Sequence, residues 1–225
     1  IKGLVIILIV FVGVITYNRT IGANNKIDLF SDFSSYNKIK TIIFTNISFN
    51  PDMYPVNDNT ISTANNIIYY NGVTLEEGIQ SNEEIDNKAK EIIKFCDDDR
   101  SKAKRIYTWI GTNIQYDSEK ASKALNEEDL DGSGSITAWH SGKGICFDYA
   151  CLYVSMARAA GLKVRLVTGE AFDGNSYGSH AWNQVYLSDE RRWINVDTTF
   201  YISGDYFDSN LFEEDHIEGE IAGEW

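Results

Sequence analysis

One segment of this sequence restricts the fold more than any other. The residues from Ile145 to Ala160 contain neither glycine nor proline, and most of them are apolar. Gly142 and Gly144 precede the segment, and Gly161 follows it. Glycine commonly ends a helix because it adopts the left-handed conformation without a steric penalty. The pattern therefore predicts a long buried helix that begins at a glycine-rich turn and ends at Gly161.

Two further helices are predicted before this segment. Ser81 and Glu84 fit a capping box at the start of the first, whose apolar stripe runs to Cys96. The stripe of the second runs from Ala103 to Ile114. Free cysteine packs like a small hydrophobic residue, so Cys96 is interpreted as part of the core.

Strands are predicted after the long helix. Three segments there are rich in β-branched and aromatic residues, namely 162–172, 179–187 and 192–200. The polar segment 117–141, which contains glycines, is predicted to be a loop. Helices followed by consecutive antiparallel strands indicate an α+β fold, with the buried helix packed on the sheet.

The amino-terminal segment has the composition of a targeting signal. No charged residue occurs from Gly3 to Tyr17, and we expect residues 1–17 to form a hydrophobic anchor helix in a membrane or a cleaved signal peptide. Both alternatives place the rest of the chain outside the cytoplasm. Residues 18–80 are interpreted as a spacer or a small β-rich packing region, with strands at 40–49 and 66–75. The main domain is assigned to 81–216, and 217–225 is interpreted as an acidic tail.

Charge and cysteine content exclude two classes of protein. The formal net charge is −13, with 33 acidic and 20 basic residues. Nucleic-acid binding is not expected, because phosphate contacts need a basic surface. The chain has only 3 cysteines, which is too few and too odd a number for a disulfide-stabilised scaffold.

The position of Cys146 points to thiol chemistry. Cys146 lies at the predicted start of the long helix, where unpaired backbone N–H groups and the helix dipole favour a thiolate. Cys151 is five residues further on and is expected to be buried among apolar neighbours. We therefore interpret Cys146 as a candidate nucleophile, with the glycine-rich turn leaving room for a substrate backbone.

A nucleophilic thiol needs a base, and a predicted hairpin supplies a candidate. Of the 3 histidines, His180 begins the strand 179–187, and Asp197 lies in the strand 192–200. A turn that pairs Leu187 with Glu190 would place His180 directly opposite Asp197 on one face of the sheet. A buried carboxylate there would orient the imidazole.

The same segments resemble a known family. GKGICFDYACLYVSMARAAGLKVRLVTGEA, SHAWNQVYLSDERRWINVDTTF and the upstream AKRIYTWIGTNIQYD resemble motifs of the bacterial transglutaminase-like superfamily, over roughly residues 82–216. The resemblance implies a papain-like α+β fold and a catalytic triad of Cys146, His180 and Asp197. Asp148 stands where a small residue is more usual, so the local pocket is expected to differ.

The resemblance also identifies candidates around the thiol. Tyr149 and Trp182 stand at positions where such proteins carry aromatic residues. One oxyanion donor should be the backbone N–H of Cys146. Three side chains compete for the role of second donor, namely His140, Trp139 and Tyr116.

The function implied is a membrane-anchored, extracytoplasmic thiol enzyme. It would attack amide carbonyls of protein or peptide substrates through an acyl-thioester and pass the acyl group to water or to an amine. A non-catalytic protein-binding module of the same fold is the alternative. A zinc site built from Cys146, Cys151, His180 and Asp197 is disfavoured, because the two thiols diverge on a helix.

One loop resembles a calcium-binding motif. In DLDGSGSIT, side chains of Asp129, Asp131 and Ser133 could offer oxygen atoms to Ca²⁺, with Gly134 at the turn. The twelfth position of the motif is His140 rather than a bidentate glutamate. The segment is therefore interpreted as a surface loop, and no cofactor is predicted.

Overall fold

The structure is a computed structural model that describes residues 69–70, 72–126, 128, 130, 132–174, 176–210 and 212–225. The anchor predicted at 1–17 and the strand predicted at 40–49 lie outside these residues. Within the described part, no helix has the length and apolar character needed to cross a membrane.

Helices come first in the chain, and a four-stranded sheet follows. The helices described are α1 (Leu75–Gly78), α2 (Glu83–Ile92), α3 (Asp99–Asn113), α4 (Ser118–Leu125), α5 (Ser135–Ser141), α6 (Cys146–Ala159) and α7 (Phe212–Asp215). The strands are β1 (Tyr69–Tyr70), β2 (Val73–Thr74), β3 (Gln115–Tyr116), β4 (Lys143–Gly144), β5 (Lys163–Phe172), β6 (Tyr177–Leu187), β7 (Arg192–Val196) and β8 (His216–Glu224). The large sheet has the order β7-β6-β5-β8, and every pairing in it is antiparallel.

The long helix α6 is the centre of the core, as the sequence predicts. It packs on β5 and β6 on one side and on α2, α3 and α5 on the other. Its middle residues, including Leu152 and Met156, are completely buried, and full burial of such a side chain stabilises the fold by about 1.5–3 kcal/mol. Gly161 follows with a φ of +74° and ends the helix. The predicted α+β class is confirmed.

The helices before α6 differ from prediction in their ends. Asn82 rather than Ser81 caps α2, because the Asn82 side chain accepts a hydrogen bond from the N–H of Ile85. The hydroxyl of Ser81 donates instead to Asp86. Since α2 ends at Ile92, Cys96 falls outside the helix and is only half-buried. The core position expected for Cys96 is wrong.

Two segments predicted as simple elements contain more structure. The segment 117–141 holds the helices α4 and α5, so its prediction as a loop is wrong there. Asp117 caps α4 by accepting a hydrogen bond from the N–H of Lys120. The polar composition of the segment 117–141 does not reveal this capping signal. The single strand predicted at 66–75 is instead the short hairpin β1–β2, with Gly72 in the left-handed region at its turn.

The hairpin β6–β7 has the predicted faces but a different register. Leu187 pairs with Arg192, two residues beyond the predicted partner Glu190. The turn contains residues 188–191, and Arg191 adopts a left-handed conformation with a φ of +53°. The ladder ends at the pair Asn183–Val196, so the prediction that His180 lies directly opposite Asp197 in the ladder is wrong. A shift of two residues leaves every side chain on its predicted face, because strand side chains alternate with a period of two. Ala181, Val185, Ile194 and Val196 are all buried in the main core, on the side opposite the predicted site.

The segment predicted as an acidic tail is mostly a strand. β8 pairs along β5, with Ala171 opposite His216 and Arg165 opposite Glu224. Its acidic composition hides this role, since glutamate is uncommon in strands. The pairing brings His216 to the end of the sheet where Asp197 lies.

Candidate functional site

The site begins at the first turn of α6. Gly142 takes the left-handed conformation with a φ of +66° and ends α5, and Gly144 forms the short parallel pair with Tyr116. Ile145 is then extended, and Cys146 is the first helical residue. Cys146 therefore lies at a free helix N-terminus, where the backbone N–H groups have no partner within the helix.

A buried carboxylate holds the turn before Cys146. Asp148 is completely buried. Its carboxylate accepts from the N–H of Gly134 at 2.6 Å and from that of Ile145 at 2.8 Å, and it forms a salt bridge of 2.7 Å with Lys120. A Cβ atom on Gly144 would lie 2.6 Å from the Cβ of Asp148. Gly144 is therefore needed for the approach of Asp148.

The two thiols of α6 differ in environment. Cys146 is half-buried and lies close enough to His180 to contribute to the raised pKa of that imidazole. Cys151 is completely buried. Burial, followed by the nearby Asp148 carboxylate, raises the pKa of the Cys151 thiol well above its usual range. Of the two, only Cys146 can meet a substrate.

The predicted base and acid lie in direct contact. Nε2 of His180 is 2.7 Å from Oδ2 of Asp197, which leaves Nδ1 for the thiol. Asp197 follows the end of β7, and its Oδ1 accepts from the N–H of Thr199. The ring of Phe200 stacks on the imidazole at 4.8 Å between centroids. Hydrogen bonding and stacking together restrict the ring to one orientation.

The electrostatics favour charged forms of both groups. Burial by itself lowers the pKa of His180, but the Asp197 carboxylate and the hydrogen bonds to Asp197 and Cys146 outweigh it and raise the pKa to about 10. Burial would raise the pKa of Asp197, yet the charges and hydrogen bonds of His180 and His216 hold it well below its usual range. The pair is therefore an imidazolium and a carboxylate at neutral pH.

The sequence does not predict a role for His216. Its Nε2 lies 3.0 Å from the same Oδ2 of Asp197, and its Nδ1 lies 3.1 Å from the carbonyl oxygen of Phe212. Only 1% of the His216 side chain is exposed. No motif or spacing marks this histidine, because it reaches Asp197 only through the pairing of β8 with β5.

The three candidates for a second oxyanion donor lie in different surroundings. His140 is exposed in the last turn of α5. The indole N–H of Trp139 donates to Glu84 at 2.8 Å and is thus engaged elsewhere. Tyr116 pairs with Gly144 beside the thiol. Although 40% of Tyr116 is exposed, local burial of its hydroxyl and the neighbouring Cys146 raise its pKa well above the usual range, so the hydroxyl keeps its proton.

The two aromatic candidates, Tyr149 and Trp182, contact neighbouring parts of the structure around the site. The hydroxyl of Tyr149 donates to the carbonyl oxygen of Ile114 at 2.7 Å, which connects α6 to the start of β3. Trp182 is buried beside His180, with 6.3 Å between ring centroids. Its indole lies over Gly169 and Gly219, where added Cβ atoms would come within 2.7 and 2.9 Å of the ring.

Two groups of oxygen and nitrogen atoms bear on metal binding. For the calcium motif, Asp129 and Asp131 lie outside the described residues, and Ser133 is buried. One atom each of His180, Asp197 and His216 falls within 4.8 Å of the others. Both imidazole Nε2 atoms, however, already contact one carboxylate oxygen at hydrogen-bond distance. We interpret this cluster as a hydrogen-bonded group.

Comparison with known proteins assigns the domain. The sequence profile of the transglutaminase-like superfamily matches residues 86–198, a range that includes Cys146, His180 and Asp197. No curated protein matches the chain.

Three solved structures match parts of this chain. A candidate cysteine protease from Cytophaga hutchinsonii is 20% identical with a TM-score of 0.46, covering 66% of this chain and 51% of its own. A protein named as a TGase is 19% identical with a TM-score of 0.42, and the match covers 76% of this chain and 39% of that protein. The periplasmic domain of TgpA from Pseudomonas aeruginosa is 18% identical with a TM-score of 0.42, covering 57% and 48%. This chain thus spans about half or less of the length of these proteins.

Proposed function

Since the chain belongs to the transglutaminase-like superfamily, we propose that it is a cysteine-dependent enzyme that attacks amide carbonyls of proteins or peptides. The observation that carries the proposal is the position of His180, which contacts Asp197 at 2.7 Å and has Cys146 as a neighbour that helps to raise its pKa. A thiol, an imidazole and a carboxylate in this order form a nucleophile, its base and the group that orients the base. A non-catalytic binding module would have no need for this connected set.

The first half of the reaction follows from the charges of the site. His180 holds the proton of Cys146, so the thiolate attacks the carbonyl carbon of the substrate amide and forms a C–S bond. The carbonyl oxygen becomes an oxyanion, for which we assign the N–H of Cys146 and the hydroxyl of Tyr116 as donors. His180 then gives its proton to the leaving nitrogen, the C–N bond breaks, and an acyl-thioester remains on Cys146.

The second half returns the enzyme to its starting state. His180, now neutral, removes a proton from water or from an amine, which attacks the thioester carbonyl. Collapse of the second tetrahedral intermediate breaks the C–S bond and releases Cys146 as a thiolate beside the protonated His180. Attack by water makes the reaction peptide hydrolysis, and attack by an amine makes it transglutamination.

Location outside the cytoplasm belongs to this proposal as well. It rests on the uncharged segment from Gly3 to Tyr17 alone, which has the composition of a membrane anchor or signal peptide. The net charge of −13 for the whole chain favours solubility of the part outside such an anchor.

The thiol labelling rate tests the proposal with an internal control. Cys96 and Cys146 are both half-buried, so a difference in their reactivity reports chemistry rather than access. We expect iodoacetamide at mildly acidic pH to label Cys146 at least tenfold faster than Cys96, because only Cys146 should be a thiolate there. Peptide mapping by mass spectrometry measures both rates in the same sample. Equal rates would contradict the assignment of Cys146 as the nucleophile.

A further inference from the structure

The strongest unexplained feature of the site is the environment of His216. Its Nδ1 faces the carbonyl oxygen of Phe212 at 3.1 Å, and its Nε2 faces Oδ2 of Asp197 at 3.0 Å. A carbonyl and an ionised carboxylate accept hydrogen bonds and donate none. A neutral imidazole carries one N–H and so could satisfy only one of these two oxygens. Both contacts are hydrogen bonds only when His216 is an imidazolium.

The aromatic residues around His216 suit a cation. The ring of Phe212 stacks on the imidazole with 3.8 Å between centroids, and Trp182 forms a T-shaped pair with it at 5.1 Å between centroids. Phe200 and Tyr206 both lie 5.6 Å away. Aromatic faces attract cations, and the attraction is larger where water is excluded. The aromatic rings around His216 can therefore stabilise a positive charge on its imidazole where water is excluded.

Few other charged groups face His216. Asp197 approaches from the end of β7, and His180 from β6 has its ring centroid 5.7 Å away. Asp215 precedes His216, and its carboxylate accepts from the hydroxyl of Tyr206 at 2.6 Å. On β5, Glu170 pairs with Ile217 and Gly169 pairs with His180, so the Glu170 side chain points to the opposite face of the sheet.

The charges of Cys146, His180 and Asp197 indicate a role for His216. When the thiol of Cys146 is ionised and His180 is protonated, the site also holds the negative charge of Asp197. These three groups have a net charge of −1, and an uncompensated charge in a buried site is costly. The positive charge of His216 brings the total to zero.

We propose that His216 is a positioning residue that holds Asp197 in place and, by its charge, makes the group of Cys146, His180, Asp197 and His216 electrically neutral. The inference rests on the proposed function, since it takes Cys146 as the reactive thiolate. His216 lies too deep to touch a substrate, so it acts through Asp197.

Loss of the charge has a predictable sign. A nearby cation favours a thiolate and disfavours a second cation. Without the charge of His216, the thiolate of Cys146 is less favoured and the imidazolium of His180 is more favoured. Both limbs of the pH dependence of turnover should therefore move to higher pH, by about one unit each. A residue that only supported the fold would reduce activity without moving the limbs.

The experiment uses the full chain with two substitutions at the same position. His216→Gln keeps a hydrogen-bond donor without the charge, and His216→Phe removes both. The rate of Cys146 alkylation by iodoacetamide is measured against pH, and we expect the midpoint in His216→Gln to rise by about one unit, with about tenfold slower labelling below it. The exposed His140 supplies the control, and His140→Gln should leave the midpoint unchanged.

The outcomes separate this inference from the proposed function. If the unmodified chain labels Cys146 no faster than Cys96 at mildly acidic pH, the proposed function is wrong. If it labels Cys146 quickly but His216→Gln has the same midpoint, the proposed function stands and the role of His216 is refuted.

A measurement on the unmodified chain covers the case in which both variants fail to fold. The chain has only 3 histidines, so ¹⁵N-histidine labelling gives few signals. His140→Gln identifies one set, and alkylation of Cys146 perturbs that of His180, which leaves His216. We expect both ring nitrogens of His216 to be protonated at neutral pH. An unprotonated nitrogen there would overturn the proposal.

Discussion

The two sides of the candidate site are built in different ways. The nucleophile side consists of Cys146, the turn before it and Asp148, all close in sequence, with Lys120 as the partner of Asp148. The base side joins His180, Asp197 and His216. Each of these three comes from a different strand or strand end, and the hydrogen bonds between them span 17 and 19 residues of sequence.

The difference shows how each side gains its reactivity. A helix start carries its own partial charge and its own unpaired N–H groups, so part of the environment of Cys146 comes from residues close to it in sequence. The imidazole has no such local source. Its charge and orientation depend on a carboxylate that only the tertiary structure brings near. Substitutions on the two sides should therefore have different effects on thiol reactivity and on turnover.

The largest effect is expected at the nucleophile itself. Cys146→Ala should reduce kcat by roughly 10⁴-fold or more, because no other group can form the thioester. Its unfolding free energy should change by less than about 0.5 kcal/mol, since the side chain is only half-buried. Assays of amide turnover and thermal unfolding measure both quantities.

The second thiol of the same helix is the matched control. Cys151→Ala should keep turnover but lose about 1–2 kcal/mol of stability, because it leaves a small cavity beside a completely buried site. Loss of activity in folded Cys151→Ala, or retained activity in Cys146→Ala, would contradict the assignment of Cys146 as the nucleophile and Cys151 as a core residue.

On the base side, Asp197→Asn should reduce kcat/KM by roughly 10³-fold. The amide cannot neutralise two imidazolium groups and offers a donor where Nε2 of His180 needs an acceptor. Cys146 should remain open to alkylation, because the helix start still favours its thiolate. Measurements of Cys146 labelling and of amide turnover on one preparation test whether the thiol stays reactive when turnover is lost.

Stability measurements sharpen the result for Asp197. Because the pKa of Asp197 is lowered in the folded chain, its carboxylate stabilises the fold above about pH 4 and this contribution is lost as the pH falls. Asp197→Asn should therefore show a weaker loss of stability on acidification. Asp189→Asn, in the exposed turn between β6 and β7, should behave like the unmodified chain. An unchanged acid profile in Asp197→Asn would argue against the ionised state assigned to this residue.

The smallest effect is expected for the oxyanion donor. Tyr116→Phe should lower kcat by about 10–100-fold and leave KM nearly unchanged, because the hydroxyl acts mainly on the oxyanion of the transition state. Tyr177 has the same exposure of 40%, and its hydroxyl donates to Glu214 away from the thiol. Tyr177→Phe should therefore keep full activity. Equal effects of the two substitutions on steady-state kinetics would remove Tyr116 from the mechanism.

The sequence by itself determined the parts of this protein that depend on short-range patterns. The glycines around Ile145 to Ala160 and the apolar content between them specify the central helix, and so place Cys146 at its first turn. Alternation along 179–187 and 192–200 specifies which side chains share a face. For that reason, the predicted faces survived a shift of two residues in register.

Only the tertiary structure decided the features that join distant segments. The carboxylate of Asp148 meets Lys120 and the N–H of Gly134 across a fold that no local pattern encodes. Tyr116 lies beside the thiol because β3 pairs with β4. His216 reaches Asp197 because an acidic segment with weak strand propensity is held by hydrogen bonds to β5. Backbone pairing is available to almost any sequence, so the choice of partner strand is made by the packing of the whole sheet and not by the residues of one strand.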